Sequence, residues 1–283
     1  MRLMIGIIIH ILIAVTVACA AVGLTTVYWR RLYGRLKLAS HLQQVREQVN
    51  SRKQAKVMQS KLDFLQAVLG EVQYQHEGMT SYLKLLTSDD INPSQTEWKV
   101  ASDHMKKRAS VLTEMVNGSL EVMHYEDLTD IGKDDQVQVN SFCQDAFSDC
   151  TPYLSGNVEL RLETGLDHNH TIRTNIKALQ TVLTNLIRCS MHFTHEGEIV
   201  LKVKRRRQKS RHHLMFTLAD TGLGIPDNAK DRIFEYLPPH DAMMKLIVVR
   251  LRLCRALVRL LGGTIYVDST RERGTAVVFT IKE

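Results

Sequence analysis

Apolar residues run almost unbroken from Leu3 to Trp29, with His10 and a few threonines inside. At ~1.5 Å per residue, such a run crosses a ~30 Å hydrocarbon core with some tilt. Tyr28 and Trp29 suit the interface, and Arg30, Arg31, Arg35 and Lys37 follow at once, while Arg2 alone flanks the other end. That asymmetry predicts a cytoplasmic C-terminal side. The run continues past Ala18-Cys19-Ala20, a candidate cleavage site, so an uncleaved anchor is expected rather than a signal peptide. From about Arg35 to Leu86 the pattern changes to helical spacing with no proline: Leu38, Leu42, Val45 and Val49, then Met58, Leu62, Leu65, Leu69, Val72, His76, Met79, Leu83 and Leu86. The heptad phase slips between Val49 and Met58. Ser94 with Glu97, just after Pro93, reads as a capping box. It opens a second helix, from about Gln95 to Tyr125, with Ala101, Met105, Leu112, Met115 or Val116, and Val122 on its apolar face.

Beyond Gln136 the pattern is mixed. Val137–Val139 and Val158–Glu163 read as strands, and Ser141–Tyr153 and Asn175–Met191 as amphipathic helices. Glu198–Lys204 and His213–Ala219 form a hairpin. Ala242–Leu261 is a helix stopped by Gly262 and Gly263, and Thr264–Asp268 with Thr275–Lys282 form a last hairpin. The predicted class is α+β: a transmembrane helix over 1–34, a signalling coiled coil and helical hairpin over 35–130, and an α/β sandwich with helices on one sheet face over 131–283. Two antiparallel helices cannot bury an apolar seam alone. A second copy would complete a four-helix bundle, so a homodimer is expected.

The apolar fraction of 44% suits a chain with a real core. The net charge of +7 is spread out, with clusters at Arg30–Lys37 and Lys202–Arg211 that read as a membrane-proximal anchor and a solvated hairpin. No aromatic interleaving or recognition motif accompanies them, so no nucleic-acid partner is expected. Cys19, Cys143, Cys150, Cys189 and Cys254 have no metal-ligand spacing, so reduced, mostly buried thiols and no metal site are predicted.

Candidate chemistry centres on LADTGLGIPDNAKDRIFEYL, from Leu218. Asp220 closes a strand, Gly222 and Gly224 allow a tight turn beside a ligand, and Pro226 and Asp227 open a helix. Four segments occur in order: FLQAVLGEVQYQ from Phe64, LQTVLTNLIRCSMHFTHEGEI from Leu179, the glycine turn at Asp220, and CRALVRLLGGTIYVDSTRERGTAVVFTI from Cys254. Together they resemble the dimerisation helices and GHKL-type ATPase domain of bacterial sensor histidine kinases. The resemblance implies ATP as ligand, with Asp220 accepting from the adenine amino group. It implies a response regulator or a partner histidine kinase as protein partner, and the inner (cytoplasmic) membrane as location.

The sequence departs from that family where the chemistry is done. The phosphoacceptor pattern, F, five residues, then HExRTPL, places Gly70 at the histidine, followed by Glu71, with Tyr74 where a phosphatase would orient water. Without an imidazole there is no nucleophile for the γ-phosphoryl group. In a rival register His76-Glu77-Gly78-Met79-Thr80 keeps the spacing, but the heptad points His76 into the bundle. In the NLxxNAxKFT pattern Asn185 is retained, Cys189 replaces the magnesium-ligating asparagine, and His192 replaces the lysine. A thiol is a poor ligand for magnesium, which is therefore not expected. The phosphate-cradling GTGLGL positions hold Leu246-Ile247-Val248-Val249-Arg250-Leu251, which favour a helix begun before Leu246 over a flexible lid. Phe234, Glu235 and Asp241 keep their family places, and Arg250 is expected to be a solvated helix charge. The leading expectation is a membrane-anchored pseudokinase that signals by dimerisation and partner binding, with weak, magnesium-independent ATP binding at most. The alternatives are a weak kinase using His76 and an ATP-binding switch without phosphotransfer.

Overall fold

The computed structural model describes residues 2–87, 94–154, 156–208, 211–225, 233–234, 242–268 and 273–283; the side chains of 2–29, 36, 208, 211, 242 and 243 lie outside that set. Pro93, the helix start expected at Pro226 and Asp227, and the positions Glu235 and Asp241 fall outside it as well. Two compact units are present, Met1–Asp63 and Phe64–Glu283.

Helix α1 spans Arg2–Leu86 without a break. Residues 3–29, read as a membrane span, are helical backbone within it. Among the described residues no helix is long and apolar enough to cross a membrane. Helix α2 spans Gln95–Asp127 and starts as the sequence predicts: the Ser94 hydroxyl accepts from the Glu97 amide, and Glu97 reaches back to the Ser94 amide at 2.7 Å.

Helix α1 also buries a stripe that the heptad spacing does not pick out. In the unit from Phe64 onward, α1 buries Phe64, Val68, Glu71, Gln75 and Leu86. The predicted seam is largely open in the protomer, with Leu69 60% and Leu83 51% exposed, and His76 is exposed between them. The helix therefore carries two stripes. One packs within the chain, and periodicity alone picked out the other. On α2 the expected face is largely right, with Ala101, Met115 and Val122 buried.

The α/β part begins with β1 (Asp135–Gln138) and α3 (Val139–Cys150). Val139, expected in the strand, starts the helix instead, and its amide donates to the His170 carbonyl. Strand β2 is Asn157–Thr164, and β3 (Thr171–Thr174) pairs antiparallel with β1. Helix α4 spans Ile176–Phe193, capped by the Asn175 side chain, which accepts from the Ala178 amide. It crosses over to β4 (Glu196–Gln208), which lies parallel to β2. Strands β5 (Arg211–Asp220), β6 (Ile265–Val267) and β7 (Ala276–Lys282) complete a five-stranded sheet of order β2-β4-β5-β7-β6, antiparallel after the first pair.

Register puts the apolar residues of the central strands on one face. Leu201 opposes Leu218, Val203 opposes Phe216, and Phe216 opposes Phe279. The two phenylalanine rings stack at 4.6 Å, and α3, α4 and the last helix cover this face in one core. That last helix, α5 (Ala242–Leu260), is in place well before Leu246. It is buried on more than one side, from Leu246 through Val249 and again at Leu253, Cys254, Leu257 and Val258, because α4 lies against one flank and α2 against another.

Candidate nucleotide site

Asp220 ends β5, is 3% exposed, and accepts through Oδ1 from the amides of Gly222 and Thr275, each at 3.0 Å. The turn packs against the C-terminal end of α4. A Cβ on Gly222 would sit 2.4 Å from the Phe193 carbonyl oxygen, so no side chain fits there. Gly274, at φ +75°, is as constrained, since its Cβ would meet the Asp220 carbonyl oxygen at 1.9 Å. Gly224 also has positive φ. The Thr194 hydroxyl is fully buried beside this turn and has no hydrogen-bond partner among the described residues. An orphaned hydroxyl next to a fixed carboxylate is a place for a polar heterocycle to bind, so the base end of the site fits an adenine.

The phosphate and metal end does not. Asn185, Cys189 and His192 follow one another at helical spacing along α4; Asn185 is half-buried, Cys189 buried and His192 exposed. Burial pushes the Cys189 thiol up to about 11, even with the Arg250 guanidinium nearby, and pushes Cys254 well above its ordinary value. A protonated thiol packed against α5 cannot stand in for a magnesium-ligating oxygen. No cluster of metal-ligating side chains occurs among the described residues. Where a phosphate loop would offer free backbone amides, α5 has spent them on its own hydrogen bonds. Gly70 is exposed on α1, and its neighbour Glu71 is 2% exposed. Phe234 is buried in the core.

Helix α5 clamps the domain to the helical hairpin. Lys245 Nζ lies 2.6 Å from Glu71 Oε2, with both side chains nearly buried, and Gln75 donates to the other Glu71 oxygen at 2.5 Å. Arg250 is paired with Glu114 of α2 and mostly buried, which corrects the expected solvated charge. Arg252 reaches both Glu126 oxygens, at 2.6 and 3.1 Å, with its guanidinium 4.4 Å above the Phe64 ring. Arg259 donates to the carbonyls of Tyr125, Glu126 and Leu128. A Cβ on Gly118 would touch Val249 Cγ1 at 3.0 Å, so α2 and α5 are in close contact there. Sequence reading missed this clamp. Its trace is the heptad spacing of Lys245, Arg252 and Arg259 along an otherwise apolar helix.

The mixed sheet, the helices on one face and the aspartate–glycine turn define an ATPase-type α/β sandwich. Residues 174–283 match the family described as histidine kinase-, DNA gyrase B- and HSP90-like ATPase. The chain is 30% identical over 173 residues to the sensor histidine kinase AruS of Pseudomonas aeruginosa, an alignment covering 57% of this chain and 17% of that one. In fold it is similar to the histidine kinase ThkA, solved in complex with the response regulator TrrA, at TM-score 0.58 and 15% identity, covering 78% of this chain and 61% of ThkA. It is also similar to ShkA, solved with AMPPNP, at TM-score 0.53 and 16% identity, covering 76% and 45% of the two chains. The chain is thus similar to sensor histidine kinases, and its residues 174–283 carry a domain of the matched ATPase family. It spans under a fifth of the length of AruS.

Proposed function

We propose that this protein is a pseudokinase of two-component signal transduction, anchored in the inner membrane through residues 3–29 with its later domains in the cytoplasm. It signals as a homodimer by engaging a response regulator or a partner histidine kinase. The observation that carries the reading is α5, an apolar helix clamped to the hairpin where the family keeps a glycine loop for phosphates. Phosphoryl transfer rests on positioning and electrostatic stabilisation of the phosphates. Here the nucleophile position is Gly70, the magnesium position is Cys189 and the loop is helical. The TrrA complex of ThkA supports a response regulator as the class of partner.

Calorimetry tests the site. Titration of ATP into the full chain is expected to show weak binding through the Asp220 end, unchanged by magnesium. Tight binding that strengthens with magnesium would overturn the reading. Assembly is tested by sedimentation equilibrium. The exposed stripe through Leu62, Leu69 and Leu83, with Leu65 half-buried beside it, supports pairing with a second copy. A fragment from Arg35 to Glu283 is expected to be dimeric at micromolar concentration, and Leu65→Asp with Leu69→Asp is expected to dissociate it, because the dimer would bury unpaired carboxylates.

Two alternatives have an observation behind them. The His76-Glu77-Gly78-Met79-Thr80 spacing favours a weak kinase acting through that imidazole. The buried Thr194 hydroxyl beside Asp220 favours a nucleotide-binding switch without transfer.

A further inference from the structure

The basic end of the β4–β5 hairpin has an open backbone edge. Strand β2 runs beside residues 196–203 of β4 and then stops, whereas β4 continues to Gln208, paired on its other side with β5. Along a strand, successive backbone groups point to alternate sides. The Thr221 amide donates to the Glu198 carbonyl on the β5 side, and the Gly165 amide to the Val203 carbonyl on the β2 side. By that alternation Arg205 and Arg207 direct their N–H and C=O groups to the side where β2 has ended. Among the described residues no backbone group meets them there. Charge follows the same boundary. Where β2 is present, carboxylates and cations alternate across the pair: Lys202 Nζ lies 2.8 Å from Glu163, and Arg161 pairs with Glu198 at 2.9 Å. Beyond it Lys204, Arg205, Arg206 and Arg207 are all exposed. Arg205 is paired with Glu283, but among the described residues Lys204, Arg206 and Arg207 have no carboxylate partner. Arg206 stands in register with His213 of β5, and His213 with Lys282 of β7. A row of basic side chains without a carboxylate thus crosses the open sheet face, an unfavourable arrangement that an anionic neighbour relieves.

We propose that this edge docks an extended acidic segment of a partner protein, which adds as a strand beside residues 204–208 of β4 where β2 leaves off. The segment's backbone pairs with the free groups of Arg205 and Arg207. Its carboxylates alternate between the two faces and meet Lys204 and Arg206 on one, Arg207 on the other. Cations on a free edge keep most strands away, and a strand of opposite charge is the one they admit. Only another peptide backbone can use the free N–H and C=O groups in this way, which favours a protein segment over a nucleic acid. The edge lies at the opposite end of β5 from Asp220 and shares no residue with the nucleotide site or the clamp. The proposal therefore stands apart from the pseudokinase reading.

The test is fluorescence anisotropy on the full chain at low salt, with a labelled, capped peptide of alternating glutamate and threonine as probe. The peptide is expected to bind, to weaken as salt rises, and to slow amide exchange at residues 205 and 207. The same peptide with lysine in place of glutamate should not bind. A glutamate peptide N-methylated at alternate amides keeps the charge but loses the backbone donors, and should bind at least about tenfold more weakly. Lys204→Glu with Arg206→Glu should abolish binding of the glutamate peptide and admit the lysine peptide, and that gain shows that the variant is folded. Absence of glutamate-peptide binding at millimolar concentration would overturn the proposal, as would binding indifferent to the charge reversal. Equal binding of the N-methylated peptide would overturn strand addition and leave a basic surface only. An oligothymidylate bound more tightly than the peptide, and lost in the same variant, would assign the surface to nucleic acid and overturn the proposal as well.

Discussion

Glu71→Ala is expected to destabilise the protein by about 3–5 kcal/mol, because it strands the Lys245 ammonium in a nearly buried position with no counter-charge. Lys245→Ala should cost a similar amount, since it strands the Glu71 carboxylate. The pair itself is no guarantee of net stability, since removing two charges from water offsets most of their attraction. The double variant Glu71→Leu with Lys245→Met is therefore expected to be close to wild type. Denaturant unfolding of the four proteins measures this, and hydrogen exchange localises it: the single variants should speed exchange through 244–252. Single variants as stable as the wild type would show that the clamp does not hold the domain to the hairpin.

The second large effect concerns catalysis. Gly70→His restores an imidazole at the phosphoacceptor position, yet the variant is expected to remain without detectable autophosphorylation. Magnesium would still meet the Cys189 thiol, and the γ-phosphate would still meet a helix in place of free amides. A nucleophile adds nothing without the charge stabilisation that phosphoryl transfer depends on. Acid-labile label in Gly70→His, absent from Gly70→Gln, would mean that α5 leaves room for a productive nucleotide.

Much of the fold can be read from local pattern. The capping box at Ser94, the Asn175-capped helix and the β4–β5 hairpin each rest on residues a few positions apart, and the structure has all of them. The same holds for α5, where Leu246 to Leu251 are poor loop residues and good helix residues in an apolar setting. What was not legible depends on contacts between distant segments. Strand β3 has one buried apolar residue, Ile172, and gives no alternation to detect. Val139 belongs to α3 through a bond to His170, which no local rule anticipates. Periodicity finds apolar stripes on α1 but does not say which one meets the rest of the chain. Hence Phe64, Val68, Glu71 and Gln75 were passed over in favour of the open stripe. The clamp was hidden for the same reason: Lys245 and Glu71 look like ordinary helix charges until the fold brings them together. At the site itself, Asp220 and its glycines were legible because the turn is local. The orphaned Thr194 hydroxyl becomes visible only once α4 is packed against that turn.

The central claim is that this ATPase-type domain has kept its fold and lost phosphoryl transfer. Incubation of the full chain with γ-labelled ATP and magnesium, followed by acid and alkali treatment of the protein, tests it most directly. The account predicts no protein-bound label. Alkali-stable, acid-labile label on the wild-type chain, abolished by His76→Gln, would contradict it and assign the protein as a kinase acting through His76.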